Sequence, residues 1–169
     1  MKGTHRLIAD AMLGKLAKWL RVLGFDVAYE RSIEDQTLVR IAKIESRDIL
    51  TRDRQLVQRR WGGSIRFIGI EDDHLSDQIQ QVVRELGRPP QKRVLSRCIR
   101  CNQALISFGR NEAEGRVPPY VYRTQKRFFQ CPSCRRIYWR GSHQKRILLR
   151  LKTLLAQDRS GQHKVRKNQ

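Results

Sequence analysis

Two Cys-x-x-Cys pairs in the second half of the chain are its clearest chemical signal. Four thiolates in two such pairs can bind one zinc ion in a closed, structural site. The 29 residues between the pairs exceed the commonest spacing and leave room for a β-hairpin around Pro118 and Pro119. Two redox motifs or unpaired thiols would not explain why both pairs share one spacing in a short basic segment. The predicted zinc ligands are Cys98, Cys101, Cys131 and Cys134.

Aspartates that follow predicted strands are the second chemical signal. Asp10 comes directly after the first strand, Asp53 follows the third strand, and Asp35 lies at the start of a predicted helix. In a parallel sheet, strand ends and the starts of the following helices share one edge, so these carboxylates are expected to converge. Convergence of like charges is unfavourable unless a cation neutralises them. Oxygen ligands suit Mg²⁺ or Mn²⁺ rather than zinc.

Each aspartate also has a simpler explanation, because Asp is a favoured N-cap residue that accepts bonds from free helix amides. Capping is the better explanation for Asp35 taken singly and an equally good one for Asp10. More acids follow the fourth predicted strand and would reach the same edge. The candidates for an additional metal-binding acid are Asp72, Asp73 and Asp77.

The net charge of +20 indicates a polyanionic partner. Residues 1–90 carry a net charge of +3, residues 91–134 carry +7 and residues 135–169 carry +10. Aromatic residues accompany the cations around the cysteines, which suits single-stranded RNA, although Phe128 and Tyr138 are better explained as ribbon core. His143 either contacts RNA or simply lies in the first turn of the last helix. The candidate RNA-binding residues are Lys15, Lys18, Arg21, Arg52, Arg123, Lys126, Arg127, Arg135, Arg136, Trp139 and His143.

The elements that position these residues alternate between strand and helix in the first half of the chain. Apolar runs predict strands at 6–9, 25–29, 48–51 and 65–70, and apolar positions at helical spacing predict helices at 11–23, 34–46, 55–61 and 75–86. This order predicts an α/β fold with a parallel sheet flanked by helices. A Gly-Arg-Pro-Pro segment then marks a linker. The predicted divisions are a sheet domain at 1–88, a zinc ribbon at 89–143, an amphipathic helix at 144–157 and a disordered basic tail at 158–169.

The same sequence disfavours several classes of protein. The start of the chain leads into only a short apolar run, so no secretory signal is expected. No apolar stretch approaches the roughly 20 residues of a membrane span, so a cytoplasmic protein with reduced cysteines is predicted. The absence of a glycine-rich phosphate loop argues against a nucleotide-triphosphate enzyme. No segment resembles a DNA-groove-reading helix, which argues against a DNA-binding regulator.

The combined motifs resemble a known family of ribonucleases. The chain is similar to the Mut-seven C-terminal RNase domain in RLIADAMLGKLAKWLR at 6–21, LGFD at 23–26, Asp35 with Leu38, LTRD at 50–53, both cysteine pairs and YWRGSH at 138–143. The resemblance covers about residues 6–150 and implies a PIN-like nuclease domain with an appended zinc ribbon. It also implies metal-dependent RNA cleavage with Asp10, Asp35 and Asp53 as the acidic set.

The predicted function is therefore that of a ribonuclease, a hydrolase with one structural zinc and one or two catalytic Mg²⁺ or Mn²⁺ ions. Asp10 and Asp53 would hold the principal ion, and Asp35 would orient a second ion or the water. The predicted partner is RNA, with tRNA, rRNA and the ribosome as candidates, and the oligomeric state is left open. The alternative is a non-catalytic RNA- or ribosome-binding protein that retains the PIN-like fold, because the charge of +20 fits it equally well.

Overall fold

A four-stranded parallel sheet lies at the centre of the first half of the chain. The structure is a computed structural model, and it describes residues 5–156. The strands are β1 (Arg6–Ala9), β2 (Asp26–Tyr29), β3 (Asp48–Thr51) and β4 (Phe67–Gly69). Their order in the sheet is β2-β1-β3-β4, and each neighbouring pair is parallel. The predicted parallel sheet is confirmed.

Helices cover both faces of this sheet, because alternate strand residues point to opposite faces. They are α1 (Gly14–Leu23), α2 (Asp35–Glu45), α3 (Arg54–Gln58) and α4 (Leu75–Leu86). On one face, Leu7 and Leu50 pack in a core cluster with buried residues of α1 and α4. On the other face, Ile8 and Ile49 pack with buried residues of α2 and α3. The predicted α/β arrangement with flanking helices is therefore confirmed.

Element ends differ from the predicted ones where tertiary contacts decide them. The predicted helix at 11–23 begins with a 3-10 turn, and the predicted strand at 65–70 keeps only its central part. The helix after β3 ends three residues earlier than predicted, and Trp61 folds back so that its indole N–H donates to Leu56 O at 2.8 Å.

Gly24 ends α1 with a φ of +96°, and a Cβ at this position would collide with the backbone of Arg93. Only glycine fits there.

A smaller antiparallel sheet forms the part of the chain that contains the cysteines. The sheet consists of β5 (Ile106–Phe108), β6 (Phe128–Gln130) and β7 (Ile137–Trp139), and helix α5 (Pro119–Thr124) lies between β5 and β6 in the chain. Phe108 and Phe128 are buried in its own core cluster, as expected for Phe128. The prediction of a β-hairpin around Pro118 and Pro119 is wrong, because α5 begins at Pro119. Proline suits a first helical position, where its missing N–H would be unpaired and its fixed φ matches the helix.

The last described helix returns to the parallel sheet. Helix α6 (Ser142–Ala156) packs against α4, and its Leu151 and Leu154 are each only 3 % exposed in the core cluster shared with α1 and α4. The predicted C-terminal helix is confirmed up to residue 156, while residue 157 and the predicted disordered tail at 158–169 lie outside the described residues. None of the helices within 5–156 is long and apolar enough to cross a membrane.

Candidate functional site

Thr51 connects two of the predicted aspartates at the carboxyl edge of the parallel sheet. It is the last residue of β3, and its side chain is fully buried. Thr51 Oγ1 donates to Asp10 Oδ2 at 2.6 Å and accepts from the backbone N of Asp53 at 3.0 Å. The Asp10 backbone N donates to Leu50 O at 2.9 Å, which fixes the end of β1 beside β3. One hydroxyl therefore sets the positions of Asp10 and Asp53 relative to each other.

Both aspartates also cap helical turns. Asp10 Oδ1 accepts from Ala11 N at 2.6 Å at the start of the 3-10 turn. Asp53 Oδ1 accepts from the backbone N atoms of Gln55 and Leu56 at 2.7 and 3.3 Å, so Asp53 is the N-cap of α3. Asp53 Oδ2 accepts no hydrogen bond from any residue within 5–156. Capping and metal binding are therefore compatible at Asp53, because they use different oxygens.

Asp35 forms an ion pair with Arg59. It is the first residue of α2, its side chain accepts no capping bond, and its Oδ2 lies 3.5 Å from Arg59 Nη1. The capping explanation for Asp35 is therefore wrong. Asp10, Asp35 and Asp53 are not among the described acidic, histidine and cysteine groups whose ligand atoms all lie within 4.8 Å of one another. Their shared role as metal ligands stays a prediction.

The acids that follow β4 fall into two environments. Asp73 forms an ion pair with Arg52, which follows β3. Asp72 and Asp77 instead gather with His74, and the ligand atoms of these three side chains lie within 4.8 Å of one another. Asp72 Oδ1 also accepts from His74 N at 2.8 Å. Of the three candidates for an additional acid, Asp72 and Asp77 thus keep their carboxylates together, whereas Asp73 is neutralised by Arg52.

An open cleft of about 560 Å³ lies between the carboxyl ends of β3 and β4, and we call it the edge cleft. Asp53 and Glu71 contribute acidic side chains to its walls, and Arg52 and Arg54 contribute cations. An anionic backbone can approach the acids here only because these cations offset their charge. The lining residues are Thr51, Arg52, Asp53, Arg54, Val57, Gln58, Gly69, Ile70 and Glu71.

The four cysteines meet in one group, as their spacing predicts. Their sulfur atoms all lie within 4.8 Å of one another, with 3.6 Å between Cys98 and Cys134 and 3.3 Å between Cys101 and Cys131. A tetrahedral zinc site with zinc–sulfur distances of about 2.3 Å has sulfur–sulfur edges of about 3.8 Å. The group therefore fits one zinc ion in a closed four-thiolate site, and the segment is a zinc ribbon by its ligand set.

The surroundings of the sulfur atoms shift the pKa values of two thiols in opposite directions. Tyr138 Oη lies 3.0 Å from Cys98 Sγ, and the backbone N of Cys134 donates to Cys131 Sγ at 3.4 Å. Burial raises the pKa of the Cys98 thiol, but hydrogen bonds from Tyr138 and from backbone N–H groups outweigh it and lower the pKa to about 6. Burial dominates at Cys131 and raises the pKa of its thiol to about 12. Tyr138 is therefore part of the structural surroundings of the zinc site.

Arg21, which the sequence places among the RNA-binding candidates, is buried and connects parts of the fold. Its side chain is only 4 % exposed. Nε donates to Val27 O at 2.8 Å, and Nη1 donates to Ile99 O at 3.0 Å and to Arg100 O at 2.8 Å. Burying a guanidinium is costly unless its donors are bonded, and these carbonyls satisfy Nε and Nη1. Arg21 thus joins α1 and β2 to the first cysteine pair.

Asn102 makes a second connection between the first cysteine pair and the parallel sheet. Its Oδ1 accepts from Val27 N at 2.9 Å, and its Nδ2 donates to Asp26 Oδ1 at 2.7 Å. Asp26 also pairs with Arg47 at 2.6 Å and with Arg97 at 3.1 Å. Burial acts to raise the pKa of Asp26, but the bonds from Arg47 and Asn102 hold that pKa below its usual value. The edge strand β2 is therefore covered by the ribbon rather than open to solvent.

Comparison with family models identifies the chain. The model of the Mut7-C RNAse domain matches residues 5–151, which include the parallel sheet, the ribbon and most of α6. The chain belongs to the Mut7-C RNAse domain family. Membership confirms the family inferred from the motifs, gives the chain a nuclease-like function related to RNA, and implies RNA as its substrate. Comparisons with curated proteins and with solved structures gave no match.

Within the Mut7-C fold, the remaining RNA-binding candidates lie in different settings. Lys15 and Lys18 are exposed on α1, and His143 is exposed in the first turn of α6. Trp139 is half-buried against the ribbon core, so its ring has a packing role whatever else it contacts. RNA contact by these side chains stays a prediction. The exposed candidates of the ribbon are Arg123, Lys126, Arg127, Arg135 and Arg136.

Three residues near the Mut7-C acidic edge were missed by reasoning from the sequence. Thr51 lies within the predicted strand at 48–51 and was given no role at the site, although a polar residue at a strand end close to a carboxylate indicates such a role. Tyr29 Oη donates to Ala11 O at 2.9 Å, next to Asp10. A Cβ on Gly14 would lie 2.5 Å from that same Tyr29 Oη, so the close approach requires glycine. A glycine inside a helical pattern is the signal that points to such a packing role.

Removing the Thr51 hydroxyl should damage both stability and cleavage. Thr51→Val keeps the shape of the side chain but leaves Asp10 Oδ2 and the backbone N–H of Asp53 without their shared hydrogen-bond partner. This loss should lower the free energy of unfolding by about 1–3 kcal/mol. RNA cleavage should fall by more than the loss of stability explains, because the hydroxyl that bonds to both aspartates is removed. Chemical denaturation and cleavage assays measure the two effects. Thr37→Val is the matched control, since the Thr37 hydroxyl makes no hydrogen bond within residues 5–156. Equal unfolding free energies and equal cleavage rates in the two variants would contradict the role of Thr51.

Proposed function

We propose that this protein is a metal-dependent ribonuclease with a PIN-like catalytic part, and that it cleaves RNA phosphodiester bonds at the acidic edge of the parallel sheet. The observation that carries the proposal is the hydrogen-bonded unit of Asp10, Thr51 and Asp53 in a chain of the Mut7-C RNAse domain family. The buried hydroxyl fixes the carboxylate of Asp10 and the backbone N–H of Asp53, and Gln55 N and Leu56 N fix the Asp53 carboxylate. Both carboxylates are therefore held in place before any substrate arrives. Such preorganisation is what electrostatic catalysis requires.

The oxygen atoms of this unit suit Mg²⁺ or Mn²⁺. Asp53 Oδ2 is free of hydrogen bonds from residues 5–156, and each oxygen of Asp10 accepts one bond and keeps a second lone pair. Asp10 and Asp53 would hold the principal ion, Asp35 would orient a second ion or the water, and Asp72 or Asp77 would supply an additional acid. An ion bound there activates water and stabilises the leaving oxygen in phosphodiester cleavage. Zinc in the ribbon has a structural role only.

The rest of the chain would hold the RNA so that the phosphodiester to be cleaved lies at the acids. Exposed cations on α1 and on the ribbon would contact the phosphates, and these cations contribute to the net charge of +20. A protein that acts on RNA in this way is expected in the cytoplasm, with tRNA, rRNA and the ribosome as candidate partners. The same charge also favours a second function, a non-catalytic RNA- or ribosome-binding protein that retains the PIN-like fold.

Added Mg²⁺ or Mn²⁺ should be required for cleavage of a mixed RNA pool by the purified chain. The protein is dialysed into buffer without either ion, and each is then added back at increasing concentration while product formation is measured. Adding back ions is preferable to a strong chelator, because a chelator would also remove zinc from the ribbon. Cleavage that does not respond to either ion would contradict metal dependence. RNA binding without cleavage at any ion concentration would favour the non-catalytic alternative.

A further inference from the structure

A second cleft, of about 570 Å³, runs between α1 and the zinc ribbon, and we call it the ribbon cleft. One end is formed by Gly14 and Tyr29, which contact each other beside the Asp10–Ala11 segment of the acidic edge. The other end is formed by Ile99 and Arg100 of the first cysteine pair. A strand lying in this cleft would therefore run from the acidic edge towards the zinc site.

The ribbon cleft is lined by cations without counter-charges. Lys18, Arg100 and Arg136 line it, all three are exposed, and none forms an ion pair or a side-chain hydrogen bond with any residue in 5–156. The buried Arg21, whose donors bond to backbone carbonyls, and the exposed His143 line it as well. No acidic side chain lines this cleft. Elsewhere in the described chain, Arg47 and Arg97 are neutralised by carboxylates. Three unneutralised cations around one cleft attract an anion with several charges, such as a phosphodiester backbone.

The floor of the ribbon cleft is apolar and aromatic. Trp19 and Tyr138 line it together with Ile147 of α6. The indole N–H of Trp19 has no hydrogen-bond partner within residues 5–156, whereas that of Trp61 donates to Leu56 O. An aromatic surface with a free donor, surrounded by cations, matches a nucleobase attached to its phosphates. The cleft volume also falls in the range of about 300–1,000 Å³ that is typical of small-ligand sites.

We propose that the ribbon cleft binds an unpaired nucleotide of the RNA strand whose neighbouring phosphodiester lies at the acidic edge. The base occupies the aromatic floor, and Lys18, Arg100 and Arg136 contact the phosphates. This inference rests on the proposed ribonuclease function for the direction of the strand. A base inside a duplex is stacked and paired and cannot enter a cleft between a helix and a ribbon, so the site selects single-stranded RNA.

Binding measured without added Mg²⁺ or Mn²⁺ tests the site separately from cleavage. The probe is a labelled unstructured 12-nucleotide RNA, compared with a perfectly paired duplex of the same sequence. The triple variant Lys18→Ala, Arg100→Ala, Arg136→Ala should bind the single strand at least about tenfold more weakly, and the slope of log affinity against log salt should fall by roughly 2. The matched control is Arg40→Ala, Arg84→Ala, Arg150→Ala, which removes three exposed cations outside the clefts and should change affinity by less than about twofold.

A tryptophan substitution reports whether the base reaches the floor of the ribbon cleft. Single-stranded RNA should quench the fluorescence of the wild-type protein, and this quenching should be largely lost in Trp19→Phe but kept in Trp61→Phe. Zinc content and thermal unfolding of each variant establish that it is folded. Equal quenching in both variants, or equal loss of affinity in both triple variants, would overturn the proposed site.

The two proposals fail in different ways. If the wild type cleaves RNA but the cleft and control variants bind equally well, the ribbon cleft is not a nucleotide site and the ribonuclease function stands. If the wild type cleaves no RNA but only the cleft variants lose single-strand binding, the site stands and the protein is a binding module. Equal affinity of the wild type for the duplex and the single strand would overturn the selection of unpaired RNA.

Discussion

Replacing Asp10 or Asp53 by asparagine should abolish RNA cleavage and leave the fold intact. Each change removes a ligand charge and nearly preserves the shape of the side chain. Asparagine can also cap a helix, so the bonds from Gln55 N and Leu56 N to residue 53 can persist. Loss of one carboxylate from an acidic edge relieves repulsion, so the unfolding free energy of Asp53→Asn should be unchanged or slightly higher. Asp10→Asn keeps only one accepting oxygen for the bonds from Ala11 N and Thr51 Oγ1, so it should cost about 1 kcal/mol while the protein stays folded. Cleavage should fall by about 100-fold or more, as expected when electrostatic stabilisation of the reacting phosphate is lost.

Asp48→Asn is the matched control for both substitutions. Asp48 is the first residue of β3 and so lies at the opposite end of the strand from Thr51, where it pairs with His5 at 3.4 Å and Arg66 at 4.0 Å. The control changes the same charge in the same sheet and should retain cleavage. Equal cleavage by the wild type, Asp10→Asn and Asp53→Asn would place the reaction elsewhere or indicate a contaminating nuclease. Loss of folding in either variant would mean that capping is its main role.

Zinc removal should destabilise the parallel sheet as well as the ribbon. We expect one zinc per chain in freshly purified, reduced protein, and structural zinc contributes on the order of 10 kcal/mol to small modules. Arg21 and Asn102 carry the effect further. Arg21 donates to Ile99 O and Arg100 O of the first cysteine pair, and Asn102, next to Cys101, bonds to Val27 and Asp26 of β2, so both connections lose a fixed end when the metal leaves. Thermal unfolding before and after zinc removal should show one transition that moves to lower temperature as a whole.

Cys134→Ser should reproduce this loss, and Ser133→Ala should not. Ser133 is exposed next to a zinc ligand, and its side chain makes no hydrogen bond within the described residues. Re-addition of zinc should restore the melting temperature of the wild type, while Mg²⁺ should not. If elemental analysis finds no zinc in the freshly purified, reduced protein, the closed zinc site is refuted. A sheet that melts at the same temperature with and without zinc would refute the coupling through Arg21 and Asn102.

Local patterns predicted the parts of this fold that depend on neighbours in the sequence. The helix at 75–86 has the predicted bounds, because its apolar stripe, its glycine stop and its packing agree. Arg21 was placed on a polar helix face because its neighbours at helical spacing are lysines. Its partners Ile99 and Arg100 lie 78 and 79 residues away, and no local pattern contains them. The cysteine group was predictable because two identical spacings already specify the ligands.

The candidate site was predictable in its residue types but not in its connections. Strand ends followed by Asp10 and Asp53 pointed to the carboxyl edge, since parallel strands bring such positions together. The hydroxyl of Thr51 as the common partner depends on the exact register of β1 and β3, in which Ala9 lies opposite Leu50. The ion pair of Asp35 with Arg59 likewise depends on where α3 ends. Register and element ends are decided by packing, which the sequence pattern does not specify.

The position of α6 in the core has a consequence for how the protein is made. Leu151 and Leu154 pack in the same cluster as Leu7 and Leu50, beside α1 and α4, so this cluster stays incomplete until α6 has been synthesised. About 70 residues separate the end of α4 from the end of α6. At roughly 5–20 residues per second, translation of this stretch takes on the order of several seconds. The core on this face of the sheet is therefore completed only after the ribbon has been synthesised, and a nascent chain that lacks α6 leaves part of its apolar surface exposed.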